Sequence, residues 1–236
     1  MHKPSLFLKQ VTIMKTIHPL IHLSKWFSFI LFSTTLFTTT YAQCPKGSVE
    51  SNNLVVNGNF SQGNRYFHSG YRVSNDLYPE GTYQVGTNPT KYHGHFKGRS
   101  RRGARDKFLI VNGSPRPNVS VWCQQIKIRP KTYYNFSAWI TTLVARSPAR
   151  LHFSVNGHVL GTNINAPDWE YNWKKFEVTW FSGNETTANI CIVNLSTLKG
   201  GNDFGLDNIR FTSCVPIVTK AKAVTSEEAA AQVREY

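Results

Sequence analysis

The sequence predicts an all-β fold of the sandwich or barrel type, and three observations lead to this prediction. Short runs of alternating apolar and polar residues recur between residues 54 and 211, and Asn-Gly follows three of them. No helical pattern separates the runs. The chain is 40% hydrophobic and 13% aromatic, so it has enough apolar side chains for a buried core. Closely spaced strands without intervening helices are typical of antiparallel β-structure in two layers.

The predicted strands follow one another at short intervals. The three runs that end in Asn-Gly span residues 54–56, 108–111 and 151–155, and this dipeptide after a β run is a strong turn signal. Five further runs have the composition or alternation of strands and span residues 122–128, 134–140, 176–180, 190–194 and 204–211.

Residues 1–42 have the pattern of a secretory signal peptide. They contain four lysines and no acidic residue, an apolar stretch at 27–37, and a small-residue cleavage site that ends at Ala42. An apolar stretch of 11 residues is too short to span a bilayer. We therefore predict cleavage after Ala42, secretion or a bacterial cell-surface location, and no membrane span in the mature chain.

The segment after the last strand differs in composition from the β region. Thr225 and Glu228 have the spacing of a capping box, and Ala-rich sequence follows. We predict a linker and a marginal helix over 215–236, which leaves residues 43–214 as the domain.

The chain is strongly basic, with 27 Lys and Arg against 13 Asp and Glu and a formal net charge of +14. Six basic side chains and one acidic one fall within residues 97–107, which we call the basic loop: Lys97, Arg99, Arg101, Arg102, Arg105 and Lys107. The loop can be an ordinary solvated surface, or it can bind an anionic polymer. It contains no aromatic residue for base stacking, which disfavours specific nucleic-acid recognition.

Alternation predicts a ligand surface on an outward face. In 134–140, Phe136 and Ala138 share the core face, so Trp139 points outward, or is covered by a loop or strand. The same reasoning turns His152 and Ser154 outward. If these strands are neighbours in one sheet, a sugar would find an aromatic plate among polar groups. The predicted ligand-binding set is Trp139, Gln125, His152 and Ser154, with Tyr171 and Trp173 as a wall at one end.

The sequence contains none of the common signatures of catalysis. It has no G-x-S-x-G, H-E-x-x-H or phosphate-binding glycine loop. Asp203 and Asp207 are too close along one strand to flank a glycosidic bond. His93 and His95 have a spacing that can hold a metal, but two loop histidines are the simpler interpretation. We therefore predict a non-enzymatic protein that requires no cofactor.

The four cysteines predict two disulfides. They are Cys44, Cys123, Cys191 and Cys214, an even number in a chain with an export signal. No CxxC motif occurs and no histidine has metal spacing to a cysteine, so zinc is disfavoured. The count alone allows three connectivities.

Several motifs resemble those of a known family. They are LVVNGNF at 54–60, FLIVNGS at 108–114, FSAW at 136–139, FSVNG at 153–157 and GNDFGLDNI at 201–209. In this order they resemble the galactose-binding-like jelly-roll domains of bacterial cell-surface proteins, related to carbohydrate-binding modules of families 4, 9, 16 and 22. The resemblance covers about residues 53–212 and implies a two-sheet antiparallel jelly-roll β-sandwich.

The resemblance also implies a function and a site. It implies a non-catalytic module that binds a polysaccharide or glycan, or serves adhesion. A structural spacer without its own ligand is the alternative. It implies a structural Ca²⁺ site in which Asp207 matches a ligand, with Asn59 and Ser61 in the opening motif. Because the termini of a jelly roll lie close together, Cys44 is predicted to pair with Cys214. Cys123 and Cys191 each lie in a predicted strand with core residues at the alternate positions, so both leave the core face and are predicted to pair across neighbouring strands.

Overall fold

The computed structural model describes residues 44–217. The predicted signal peptide and the capping-box helix lie outside the described residues. Within 44–217, no helix is long and apolar enough to cross a membrane.

The described chain folds into two packed β-sheets. The strands are β1 (Ser48–Glu50), β2 (Arg72–Val73), β3 (Thr82–Gly86), β4 (Phe108–Asn112), β5 (Val119–Lys127), β6 (Tyr133–Thr142), β7 (Arg150–Val155), β8 (His158–Asn165), β9 (Trp173–Phe181), β10 (Thr187–Asn194) and β11 (Phe204–Pro216). The larger sheet has the order β2-β3-β4-β11-β6-β9, with β1 paired to β11, and the smaller sheet has the order β5-β10-β7-β8. All pairs are antiparallel except β2 with β3. The prediction of an all-β, two-sheet jelly-roll sandwich is confirmed.

The predicted alternation places the core between the sheets. Tyr134, Phe136, Ala138 and Ile140 of β6 are buried, and Phe136 stacks on Phe153 of β7 with ring centroids 4.2 Å apart. Asn156 and Gly157 form the turn between β7 and β8, and both adopt positive φ angles (50° and 81°). That conformation is the one for which an Asn-Gly hairpin turn is selected.

One predicted strand is wrong. Residues 54–56 form a turn, not a strand. Side chains take the hydrogen bonds that a sheet would have provided: Val55 N–H donates to Asn53 Oδ1 (3.1 Å) and Val56 N–H donates to Gln124 Oε1 (2.9 Å). Strands β1, β2, β3 and β8 were not predicted. In β8 most side chains are exposed and polar, so the alternation that marks a strand is weak there.

Both predicted disulfides are confirmed. Cys44 is bonded to Cys214, which ties the segment before β1 to β11. Cys123 of β5 is bonded to Cys191 of β10, directly opposite it in the smaller sheet.

A second, smaller core lies on the outer face of the larger sheet. In β4, Leu109 and Val111 belong to the main core, whereas Phe108 and Ile110 point to the other side. There they pack with Leu77, Phe96 and Leu143. The segment that carries Phe96 and the basic loop therefore folds over this face, and it positions the site described below.

Candidate functional site

The predicted ligand-binding set does not form one surface. Trp139 lies on β6 in the larger sheet, whereas Gln125 on β5, and His152 and Ser154 on β7, belong to the smaller sheet. Alternation tells which side chains leave the core, but it does not tell which sheet carries them. His152 and Ser154 are also only 9% and 5% exposed. The prediction of a shared face is therefore wrong.

Trp139 is half-buried under the basic loop. The guanidinium carbon of Arg101 lies 4.4 Å from the centroid of the Trp139 ring, and such cation–π contacts stabilise by about 0.5–2 kcal/mol. Of the two predicted wall residues, Trp173 packs edge-on against Phe108 and donates from Nε1 to the carbonyl of Arg99 (3.0 Å), whereas Tyr171 is exposed. The Trp139 ring is thus covered by a loop, which is one of the two alternatives that the sequence left open.

Asp207 lies opposite Trp139 in the ladder between β11 and β6 and is completely buried. Burial raises the pKa of Asp207 to about 6, while the Asn208 N–H and the charges of Arg102 and Arg101 act in the opposite direction. Its carboxylate thus faces arginines.

The residues predicted for Ca²⁺ do not line one cavity. Asn59 Oδ1 accepts hydrogen bonds from the N–H and the hydroxyl of Ser61 (3.2 and 3.0 Å). Asn59 lines a cavity with Asn208 and Ile209, but Asp207 is not part of its lining. Ca²⁺ requires six to eight oxygen ligands. Among residues 44–217, no group of three or more Asp, Glu, His or Cys is arranged to hold a metal ion. The calcium site therefore stays a prediction.

A polar pocket lies beside the second core, between the loops that follow β2, β3, β4, β6 and β10. It has a volume of about 230 Å³ and is lined by Tyr78, Glu80, His93, His95, Asn112, Val144, Gly200 and Asp203. We call it the Tyr78 pocket. The sequence drew attention to His93 and His95 as a pair and to Asp203 by itself, but it did not connect them, because some 110 residues separate the pair from Asp203.

Side-chain to backbone hydrogen bonds hold the walls of the Tyr78 pocket together. Asn112 at the end of β4 donates from Nδ2 to the carbonyls of Leu77 (2.6 Å) and Tyr78 (3.3 Å). Glu80 Oε1 accepts from Gly200 N–H (3.1 Å). Asp203 Oδ1 accepts from Gly113 N–H (3.1 Å). The loops are therefore fixed relative to the sheet, so the pocket is preformed.

A stack of three rings forms one wall. The His93 ring lies between Tyr78, with centroids 4.1 Å apart, and Phe96, with centroids 4.2 Å apart. Phe96 anchors the stack in the second core, whereas Tyr78 is 58% exposed. The phenol is held in place by His93 and by a hydrogen bond from Gly94 N–H to Tyr78 Oη (3.3 Å). The outer ring of the stack is thus a fixed and accessible aromatic surface.

The opposite wall carries two carboxyl groups with different roles. Asp203 is 5% exposed, and burial raises its pKa to about 7, opposed by the Gly113 N–H and supported by the charge of Glu80. Near neutral pH its carboxyl group is therefore partly protonated and can donate as well as accept. Glu80 Oε2 is buried and has no hydrogen-bond partner among the described residues. Burial, helped by His95, lowers the pKa of His93, which keeps this imidazole neutral.

A second cavity lies beside β5, the edge strand of the smaller sheet, where His68 pairs with Cys123. It has a volume of about 500 Å³, and its lining includes Gln125 together with Tyr66, His68 and Lys127. Gln124 closes its floor, since its Nε2 donates to the carbonyls of Val56 and Tyr66. This cavity is more open and offers no buried polar atom that lacks a partner.

No protein-family model matches the chain, and no curated protein matches it. Solved structures similar to it include the N-terminal CBM22 tandem domain from Paenibacillus barcinonensis (12% identity, TM-score 0.48, 77% of this chain and 49% of that one). TmCBM61 in complex with β-1,4-galactotriose is also similar (14% identity, TM-score 0.44, 68% of this chain and 98% of that one). So is Fisc, a Stig cyclase from Fischerella sp. TAU (16% identity, TM-score 0.47, 72% of this chain and 99% of that one).

The chain spans about half the length of the CBM22 tandem domain. Family 16 and CBM4 modules are also among the similar structures. At these identities and TM-scores the likenesses carry no argument about a ligand, which has to come from the chemistry of the Tyr78 pocket.

Proposed function

We propose that this domain is a non-catalytic glycan-binding module of an exported protein and that its ligand occupies the Tyr78 pocket. The observation that carries the proposal is an exposed aromatic ring beside a buried carboxylate oxygen that has no partner: Tyr78 and Glu80 Oε2. A sugar ring has an apolar C–H face that packs on an aromatic ring and hydroxyl groups that hydrogen-bond to carboxylates.

The other lining groups suit the same ligand. A partly protonated Asp203 can donate to a ring or hydroxyl oxygen, and the neutral imidazole of His93 can hydrogen-bond to a hydroxyl group. The two disulfides support an oxidising location outside the cytosol. Both carboxyl groups are tied to backbone N–H groups of the loops, which gives them a role in shaping the pocket and supports binding rather than turnover.

The test is a glycan array on the domain, followed by titration of the best ligand against single variants. A shallow pocket of this size predicts a Kd of roughly 10⁻⁵ to 10⁻³ M. Tyr78→Ala is expected to weaken binding at least tenfold, because it removes the stacking surface, about 1.4 kcal/mol or more. Tyr66→Ala is the matched control, since Tyr66 is also an exposed tyrosine at a cavity (55%), and it is expected to bind like the parent.

Two results contradict the proposal. Loss of binding in Tyr66→Ala with full binding in Tyr78→Ala would move the ligand to the β5 edge. New reducing ends after incubation with the bound glycan would show hydrolysis and so exclude a purely binding role.

A further inference from the structure

The basic loop lies beside a further basic residue at the start of β9, so the two form a larger charged surface. Trp173, the first residue of β9, donates from Nε1 to the carbonyl of Arg99, so the loop lies against the start of this strand. Lys175 of β9 lies opposite Trp139 in the ladder between β6 and β9 and is exposed on this face, whereas Lys174 points to the other face. We call the combined set the basic surface: Lys97, Arg99, Arg101, Arg102, Arg105, Lys107 and Lys175.

The basic loop is fixed to the sheet at several points. Lys97 N–H donates to the carbonyl of Leu143 (2.9 Å), Ser100 is buried, and Arg101 packs on Trp139. A loop held in this way presents its charges in a constant arrangement. A partner therefore pays less conformational entropy to bind it than it would to bind a flexible charged tail.

Few of these charges are neutralised within the protein. Arg102 lies 3.8 Å from Asp106, and Lys175 lies 2.5 Å from Glu177. The other five basic side chains form no ion pair within residues 44–217. The buried carboxyl group of Asp207 acts on Arg101 and Arg102 from beneath the loop and is out of reach of a partner. The basic surface is thus a concentrated positive field open to an anionic polymer.

We propose that the basic surface binds an acidic polysaccharide, one that carries sulfate or uronate groups, as a second site independent of the Tyr78 pocket. Guanidinium groups pair with sulfate and carboxylate through two parallel hydrogen bonds, and four of the seven side chains are arginines. The loop before β9 adds Trp169, which is 70% exposed and can carry a sugar ring at the edge of the surface.

Two observations favour a polysaccharide over a nucleic acid. Single-strand binders place aromatic rings within the charged track, whereas here Arg101 covers Trp139 and the exposed ring of Trp169 lies outside the loop. The two disulfides also point to an oxidising compartment, where acidic cell-surface polysaccharides are the common polyanions.

The experiment measures binding of the disulfide-bonded domain to dextran sulfate, unsulfated dextran and polygalacturonate as a function of salt. Dextran sulfate is expected to bind with a log–log salt slope of about −3.5 to −5, as roughly 0.7 counterions are released per paired charge. Binding of polygalacturonate tests whether carboxylate groups are enough for recognition without sulfate groups. Unsulfated dextran, with the same backbone, is expected not to bind this surface.

Variants locate the site. Arg105→Gln/Lys107→Gln removes two exposed charges without touching the second core and is expected to reduce the slope by about 1.4 and the affinity about tenfold at ~0.1 M salt. Lys46→Gln/Arg129→Gln removes the same two residue types outside the basic surface and is expected to change affinity less than twofold. Tyr78→Ala is expected to bind dextran sulfate unchanged, which separates this site from the pocket.

Three outcomes would overturn the inference. Equal losses in the two charge variants would show that net charge alone drives binding. Equal binding of dextran and dextran sulfate would remove the role of the anionic groups. A single-stranded or duplex DNA that binds as tightly as dextran sulfate at the same salt concentration would replace the polysaccharide as the partner class.

Discussion

The buried carboxyl group of Asp203 predicts a stability that depends on pH and on one residue. Burial raises its pKa from 3.8 to about 7 in the folded domain. Between these two values the folded state holds the proton more tightly than the unfolded state, so stability falls as pH rises through this window. Below pH ~4 both states are protonated and the stabilising effect is fully present. Three pH units at about 1.36 kcal/mol each set an upper bound of about 4 kcal/mol on the stability lost by pH ~8.

Asp203→Asn tests this reasoning, because an amide oxygen can still accept from Gly113 N–H but carries no charge. We expect the variant to match the parent within about 0.5 kcal/mol at pH ~4 and to exceed it by 2–4 kcal/mol at pH ~8, an estimate on the order of the pKa difference. The assay is urea unfolding at both pH values with the disulfides intact. Asp168→Asn, in an exposed loop, is the control and should show no such crossover. The same stability difference at both pH values would refute a titrating Asp203 as its source.

Three further predictions concern the frame around the site. Gly58→Ala would place a Cβ 2.1 Å from the carbonyl oxygen of Ile209, a backbone atom that cannot give way, so urea unfolding should show a loss of about 2–4 kcal/mol. Gly63→Ala meets no neighbouring atom and should lose only the smaller amount that its positive φ (72°) costs. Trp139→Ala removes the platform beneath Arg101, so amide hydrogen exchange should rise in residues 97–107 while the β6 ladder stays protected; unchanged exchange would show that Trp139 does not hold the loop. The charges of Arg101 and Arg102 act on Asp207 and disfavour a cation there, so the melting temperature of the domain should be the same with Ca²⁺ and with EDTA. A rise of several degrees with Ca²⁺ would support the predicted calcium site.

Local pattern was enough to predict the strands of the core but not their partners. The alternation in 134–140 correctly buried Phe136, and the Asn156-Gly157 turn correctly marked a hairpin, because both depend on residues close in sequence. The prediction that Trp139 and His152 share one face was wrong, because the sheet to which a strand belongs is set by its pairing with strands distant in sequence. The predicted strand at 54–56 was wrong because the side chains of Asn53 and Gln124 accept the backbone hydrogen bonds that a neighbouring strand would have accepted. The alternation of apolar and polar residues does not reveal such side-chain acceptors.

The Tyr78 pocket shows the same division between local and distant information. His93 and His95 stood out as a pair and Asp203 as an acidic residue near the last strand, but only the pairing of β4 with β11 brings Gly113 and Asp203 together. The sequence did not indicate a functional role for Glu80, because a glutamate between proline and glycine is common in turns. Its significance lies in the buried oxygen without a partner, which is a property of the folded state.

One segment of the chain builds both proposed sites, and its position explains how they can coexist. Phe96 is buried in the second core. His93 precedes Phe96 in the chain, stacks on its ring and lines the Tyr78 pocket. The basic loop follows Phe96 and begins at Lys97. The pocket side carries carboxyl groups and the loop side carries guanidinium groups, so the two surfaces differ in charge although they share an anchor. A neutral glycan chain and an acidic one therefore meet different chemistry on the same face of the larger sheet. Replacing charges on the loop changes one of these surfaces and leaves the aromatic stack of the other intact.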